Sequence, residues 1–113
     1  MRAYERHVPA GILNRRMTIE TPTDTVGDSG GVTQTYHTKR AAWPCRIEAL
    51  SSREYFAAAA TQSQATHSIL GRYARDITSA DRGRIGTRIF NFENVIHDET
   101  MRRFTDIIAV EVV

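Results

Sequence analysis

Residues 51–67 read Ser51-Ser52-Arg53-Glu54-Tyr55-Phe56-Ala57-Ala58-Ala59-Ala60-Thr61-Gln62-Ser63-Gln64-Ala65-Thr66-His67, one helical stretch in a chain that otherwise alternates like β-strand. Ser51 stands where an N-cap belongs, with Glu54 three positions on. That spacing makes a capping box, each side chain accepting from a backbone N–H at the other end of the turn. Four consecutive alanines carry the highest helix propensity, because they lose no rotamer freedom. Tyr55, Phe56, Ala59, Ala60 and Ser63 share one face at helical spacing. Only Tyr55 and Phe56 are large, so they are the expected anchors of an otherwise small face. From Ala57 to Thr66 there is no formal charge. Two readings follow. Either the helix caps the open end of a barrel, or it faces a neighbour or a channel through Ala58, Thr61, Gln62, Ser63 and Gln64.

The segments on both sides are extended. Val32 to Leu50 is one long stretch, in which Trp43, Cys45, Ile47 and Ala49 share a face opposite Arg46 and Glu48. Pro44 marks an edge or a bulge, since proline cannot donate to a ladder. After the helix, Thr66 to Tyr73 alternates again, and His67 reads as a packed or rim histidine rather than a ligand. Toward the N-terminus, Arg16 to Glu20 is a half-buried strand with Met17 and Ile19 inward. Thr21-Pro22 is expected to stop it. Thr23 to Gly31 then reads as a long loose loop, with Asp24, Gly27, Asp28, Gly30 and Gly31 as candidate partner contacts. Its aspartates lack the ligand count and closing glutamate of a calcium loop.

Asp76 to Arg84 reads as a polar connector, and Ile85-Gly86-Thr87-Arg88 as a tight turn. Ile89–Ile96 and Phe104–Val112 form a hairpin with a longer loop at His97–Thr100. Alternation places Phe90, Phe92, Ile96, Phe104 and Ile108 in the core. Asp106 falls on the same parity, so a bulge or a partner is expected there, because a lone buried carboxylate is costly. Residues 1–11, punctuated by Pro9 and Gly11, read as an N-terminal arm. Residues 12–113 read as one domain.

Composition excludes several classes. A chain of 113 residues fits one domain with a modest core. The formal charge is +2, and fourteen of fifteen basic residues are arginine. Arginine suits fixed bidentate contacts. The single cysteine, Cys45, excludes an internal disulfide. No apolar run approaches the ~20 residues of a membrane helix, and Met1–His7 lacks a signal-peptide core. Synthesis in the cytosol is expected. His7, His37, His67 and His97 are scattered, and no nucleophile, base and carboxylate converge as a catalytic site must. No enzyme activity, metal or cofactor is expected.

Trp43-Pro44-Cys45-Arg46-Ile47-Glu48-Ala49-Leu50-Ser51-Ser52-Arg53-Glu54-Tyr55-Phe56, followed by Thr66-His67-Ser68-Ile69-Leu70-Gly71-Arg72-Tyr73, resembles the tailed-phage head-tail joining proteins, also called head-closure, stopper or head-tail adaptor proteins. Gly11–Ile19 resembles the opening strand of that family, Asp28-Ser29-Gly30-Gly31-Val32 its glycine-bearing loop, and Arg88–Arg103 its closing hairpin. The order and spacing of these pieces carry the likeness over roughly residues 10–112. Residues 1–11 extend beyond the usual family start.

The resemblance implies a mainly β fold: a small barrel or sandwich with one short helix between strands and long loops. It further implies a homo-oligomeric ring, usually of twelve, in the neck of a phage or gene-transfer particle. Its partners would be a portal or adaptor ring on the head side, a tail terminator or tail tube protein on the tail side, and the packaged DNA passing through. The rival reading is an OB-like nucleic-acid-binding module. It would use Arg72, Tyr73, Arg75, Arg82, Arg84 and Arg88 as a basic groove with stacking aromatics.

Overall fold

The computed structural model describes residues 10–60 and 64–112, without the side chains of Ala10, Tyr55 and Ala58. Most of the expected N-terminal arm therefore lies outside the described residues; Ala10–Ile12 form a 3-10 turn. The strands are β1 (Arg15–Val26), β2 (Val32–Ala49), β3 (His67–Arg72), β4 (Arg82–Ile85), β5 (Arg88–His97) and β6 (Phe104–Val112), and helix α1 (Ser52–Ala60) joins β2 to β3. All pairings are antiparallel, and the order β1-β2-β3-β6-β5-β4 closes into a barrel. The expected mainly β barrel with one short helix is the observed fold.

Alternation places the core inside the barrel. Met17 and Ile19 of β1, Trp43 and Cys45 of β2, Ile69 of β3, Phe90 and Phe92 of β5, and Ile107 and Ala109 of β6 pack together. Ala74 and Ile77, between β3 and β4, join the same cluster. Two glycines let the backbones approach. A Cβ at Gly71 would collide with the Trp43 indole, and one at Gly83 with the Met17 sulfur. The indole N–H donates to the Arg72 carbonyl at 2.9 Å, which satisfies its polar edge. A small outer cluster of Leu13, Leu70, Ile12 and Phe104 lies outside this core.

Several sequence expectations change. β1 does not stop at Thr21-Pro22 but runs to Val26, with Pro22 opposite Tyr36. Beyond Glu20 only β2 flanks it, so proline sits on an edge, where it is tolerated. Of the loop expected over Thr23–Gly31, residues 23–26 belong to β1. Only Gly27–Gly31 form the turn, closed by Gly30 N–H to Gly27 O at 2.9 Å. Pro44 lies just outside the β2–β3 ladder, which begins at Cys45, while the β1–β2 irregularities flank Ile19. The polar connector ends earlier than expected, because Arg82–Ile85 form β4.

The closing hairpin shows the largest parity error. Phe90 and Phe92 are buried as expected. Between Phe92 and Asn94 the ladder to β6 slips by one residue. One extra residue turns every later side chain to the other face. Val95 therefore packs on the core and Ile96 is 54% exposed. On β6 the inward residues are Thr105, Ile107 and Ala109, while Phe104, Asp106 and Ile108 are half-buried on the opposite face. The expected core places for Ile96, Phe104 and Ile108 are thus wrong, and Asp106 lies with Phe104 and Ile108 on the face away from the barrel core.

Candidate functional site

Helix α1 carries the expected capping box. Glu54 N–H donates to Ser51 Oγ at 3.2 Å, and Ser51 N–H donates to Glu54 Oε2 at 3.3 Å. The described helix is Ser52–Ala60, and residues 64–66, inside the stretch expected to be helical, are not helical. The chain after it is drawn onto the barrel. Ala65 is buried, Thr66 N–H donates to Ala109 O at 2.9 Å, and Thr66 Oγ1 accepts from Glu111 N–H at 2.8 Å. Those bonds hold the backbone in a non-helical path. Gln64 is consequently exposed and outside the helix. Thr61, Gln62 and Ser63 lie outside the described residues, as do the side chains of Tyr55 and Ala58.

The described side chains of the helix, those of Ser52, Arg53, Glu54, Phe56, Ala57, Ala59 and Ala60, are all exposed. Phe56 was expected as an anchor, yet it is 69% exposed and outside the barrel core. A nine-residue helix is marginal in water unless a packed face supports it.

The second projection is the β1–β2 hairpin, an arm that helps stretch the molecule to 52 Å against 31 and 28 Å across. Residues 23–35 are exposed, and the tip presents Val26 at 71% and Val32 at 67%. Asp24 sits on the strand opposite Gln34, and Asp28, Gly30 and Gly31 follow Gly27 into the turn. Gly30 has φ +84°, a left-handed value that favours glycine. Among the described residues neither aspartate has a basic partner.

The arm's root is clamped, and nothing in the sequence pattern announced it. Glu20, 5% exposed, accepts from Arg82 Nε at 2.9 Å and lies 2.9 Å from Arg84. The same Arg82 guanidinium lies 3.5 Å above the Tyr36 ring, a cation–π contact. Lys39 pairs with Asp81 at 2.7 Å, and Arg40 with Asp76 at 2.8 Å. Burial pushes the Asp76 carboxyl up, but Arg40 and Lys39 together hold it below its usual value.

Beside the arm's root lies a groove of about 370 Å³, lined by Arg75, Thr78, Ser79, Asn94, His97 and Glu99. His97 Nε2 lies 2.9 Å from Ile77 O, and its Nδ1 lies 2.8 Å from Thr105 Oγ1. A carbonyl only accepts, so Nε2 carries the proton. Thr105 in turn accepts from Ala74 N–H at 2.9 Å. Tyr73 stacks edge-on against His97 and donates to Glu99 at 2.9 Å. Burial and that hydrogen bond raise the Tyr73 hydroxyl above its ordinary value, with Arg102 and Arg75 opposing. Asp98 shapes the adjoining turn. Desolvation pushes its carboxyl up, but Arg103 and the amides of Met101 and Arg103 hold it down. The turn presents Met101, 62% exposed, and Arg102 at φ +53°.

His67, at the other end, shares a hydrogen bond between its Nδ1 and Thr66 Oγ1 at 2.8 Å and stacks edge-on against Phe90. Burial lowers its pKa, with Glu111 opposing. The residues marked for a basic, stacking groove are dispersed. Arg82 and Arg84 bind Glu20, Arg88 binds Glu111, and Phe90 and Phe92 are inside the barrel. Among the described residues no three metal-ligating side chains gather.

These features define a small closed barrel with two exposed projections, a helix and an arm, and no convergent reactive cluster among the described residues. The family model for phage head completion protein matches residues 8–112, and the chain belongs to that family. Among solved structures, protein SF1141 from Shigella flexneri 2a shares 25% identity over 92% of this chain and 96% of its own, with a TM-score of 0.72. A chain in the virion of a native gene transfer agent particle shares the fold. It has 21% identity over 88% of this chain and 96% of its own, with a TM-score of 0.63. No curated protein matches.

Proposed function

We propose that this chain is a structural protein of a phage or phage-derived particle, sited at the head-tail junction. It forms a ring, of twelve by the family's habit, that joins the DNA-filled head to the tail and continues the DNA channel. Its flanking partners are a portal or adaptor ring and a tail terminator or tail tube protein. The observation that carries this reading is the family match across residues 8–112. The helix and arm support it, since both expose apolar side chains that an assembled ring would cover. Heterologous contacts between identical copies close into rings when the rotation permits. On this reading α1, with Ala58 and Gln64, faces the channel or a neighbouring copy.

The test is direct. Negative-stain images of the purified protein, or of particles carrying it, are expected to show a ring with a central hole at the neck. Particles made without the protein are expected to hold heads and tails apart. Normal tail attachment in its absence would overturn the reading.

A further inference from the structure

We infer that the arm tip of one copy docks into the groove beside Arg75 on the next copy, and that this contact closes the ring. The inference rests on the ring reading above and says how the ring is made. Charge divides sharply between the two surfaces. Across residues 21–38 the only formally charged side chains are Asp24 and Asp28. Neither has a cationic partner among the described residues. The groove offers the reverse. Arg75 lines it and Arg102 stands on the adjoining turn, both exposed and without a carboxylate partner among the described residues. Arg75 is two residues from Tyr73, and Arg102 follows Glu99, the acid that Tyr73 bonds. The acid in the groove, Glu99, is already bonded to Tyr73.

Apolar surface matches as well. Val26 and Val32 face each other across the arm tip, and Met101 is exposed beside Arg102. The groove's walls are fixed. His97 ties one wall to Ile77 and Thr105, and Asp98 holds the turn through Arg103. A receptor already ordered loses little entropy when it is filled. The arm is part of one extended sheet with the barrel and projects beyond it. It therefore meets a groove on another copy rather than its own. Arm and groove are different surfaces, so the contact is heterologous and can close a ring.

Reversing charge on one side tests this. The arm variant D24R/D28R and the groove variant R75E/R102E are compared with the wild type by sedimentation, and each fold is checked by circular dichroism. Each variant alone is expected to lose self-association by more than about tenfold, because like charges then meet. Mixed in equal amounts, they are expected to recover it, since each reversed arm finds a reversed groove and each native arm a native groove. Such rings alternate the two variants and hold an even number of copies. If both variants assemble alone as the wild type does, the docking is overturned while the ring stands. If the mixture fails to recover, arm and groove are not partners. A wild type that stays monomeric in solution and on purified heads overturns the ring and the docking together.

Discussion

Gly71 is glycine because Trp43 occupies the space where its Cβ would be. Gly71→Ala is therefore expected to lower stability by about 1–3 kcal/mol through overpacking, read as a drop in the thermal midpoint. An unchanged midpoint would mean that the indole yields. The contrast between Phe92 and Ile96 tests the bulge in β5. Phe92→Ala is expected to cost ~3–5 kcal/mol, whereas Ile96→Ala at an exposed site should stay within about 0.5 kcal/mol. Equal losses would refute the register slip. Cys45 makes a pH prediction. Burial pushes its thiol up to about 12, with Arg15 and Arg16 opposing. The folded pKa then lies above the unfolded value of about 8.5. The neutral thiol favours the native state fully below pH about 8.5, and that contribution drains away as pH rises toward 12. The urea midpoint should fall more steeply between pH 8 and about 10 in the wild type than in Cys45→Ala. Parallel curves would show that Cys45 does not titrate this way.

At the scale of elements, α1 and the arm are exceptional because neither depends on the core. Removing the capping box with S51A/E54A should weaken the helix by about 0.5–2 kcal/mol. The barrel's melting should not move, since the described side chains of α1 are exposed. Faster amide exchange in α1 at constant midpoint is the expected signature; a lowered midpoint would mean that the helix supports the barrel after all. The capping box and the four alanines made α1 legible in the sequence. Its C-terminal limit was not, because Thr66's bonds to Ala109 and Glu111 join residues more than forty positions apart. The arm was misread for a different reason. Glycine and aspartate at its tip signal a loop, and that signal hid the β-branched Thr23, Thr25 and Val26 of its first strand, whereas the second strand, from Val32, was read as extended. Parity failed after Phe92 because a bulge leaves no mark in an alternating pattern, and on β6 because the adjacent Ile107 and Ile108 fit either face.

For the whole molecule, the bulky substitution Ala58→Trp separates folding from assembly. The chain should keep its circular dichroism and melting temperature while tails fail to attach. Full tail attachment by Trp at Ala58, Thr61 and Gln62 in turn would leave α1 with no part in the ring. The sequence disclosed the barrel and the family because the order and spacing of strands, helix and turns are properties of one chain. It marked Asp24, Gly27, Asp28, Gly30 and Gly31 as one loop, but not as the end of a projecting ribbon. It could not disclose that Phe56 would stand exposed, nor that Arg102 would come near Tyr73. Those facts arise only when distant segments are brought together.

The barrel closes where β1 meets β4, and that ladder spans only Thr18–Glu20 against Arg82–Arg84. Its strands lie some sixty residues apart, with Glu20 and Arg82 separated by 62. Joining ends so remote carries a large loop-closure cost and comes late in folding. The seam is thus the expected last step on the way in and the first to part on the way out. Because Glu20 belongs to that late step, Glu20→Gln should quicken unfolding while leaving the refolding rate nearly unchanged. Stopped-flow chevrons would show it as a raised unfolding limb, and a lowered refolding limb would place the seam in the nucleus instead. The hinge line of the opening barrel then coincides with the root of its arm, so a copy held at the arm by its neighbour has its own unfolding slowed from outside.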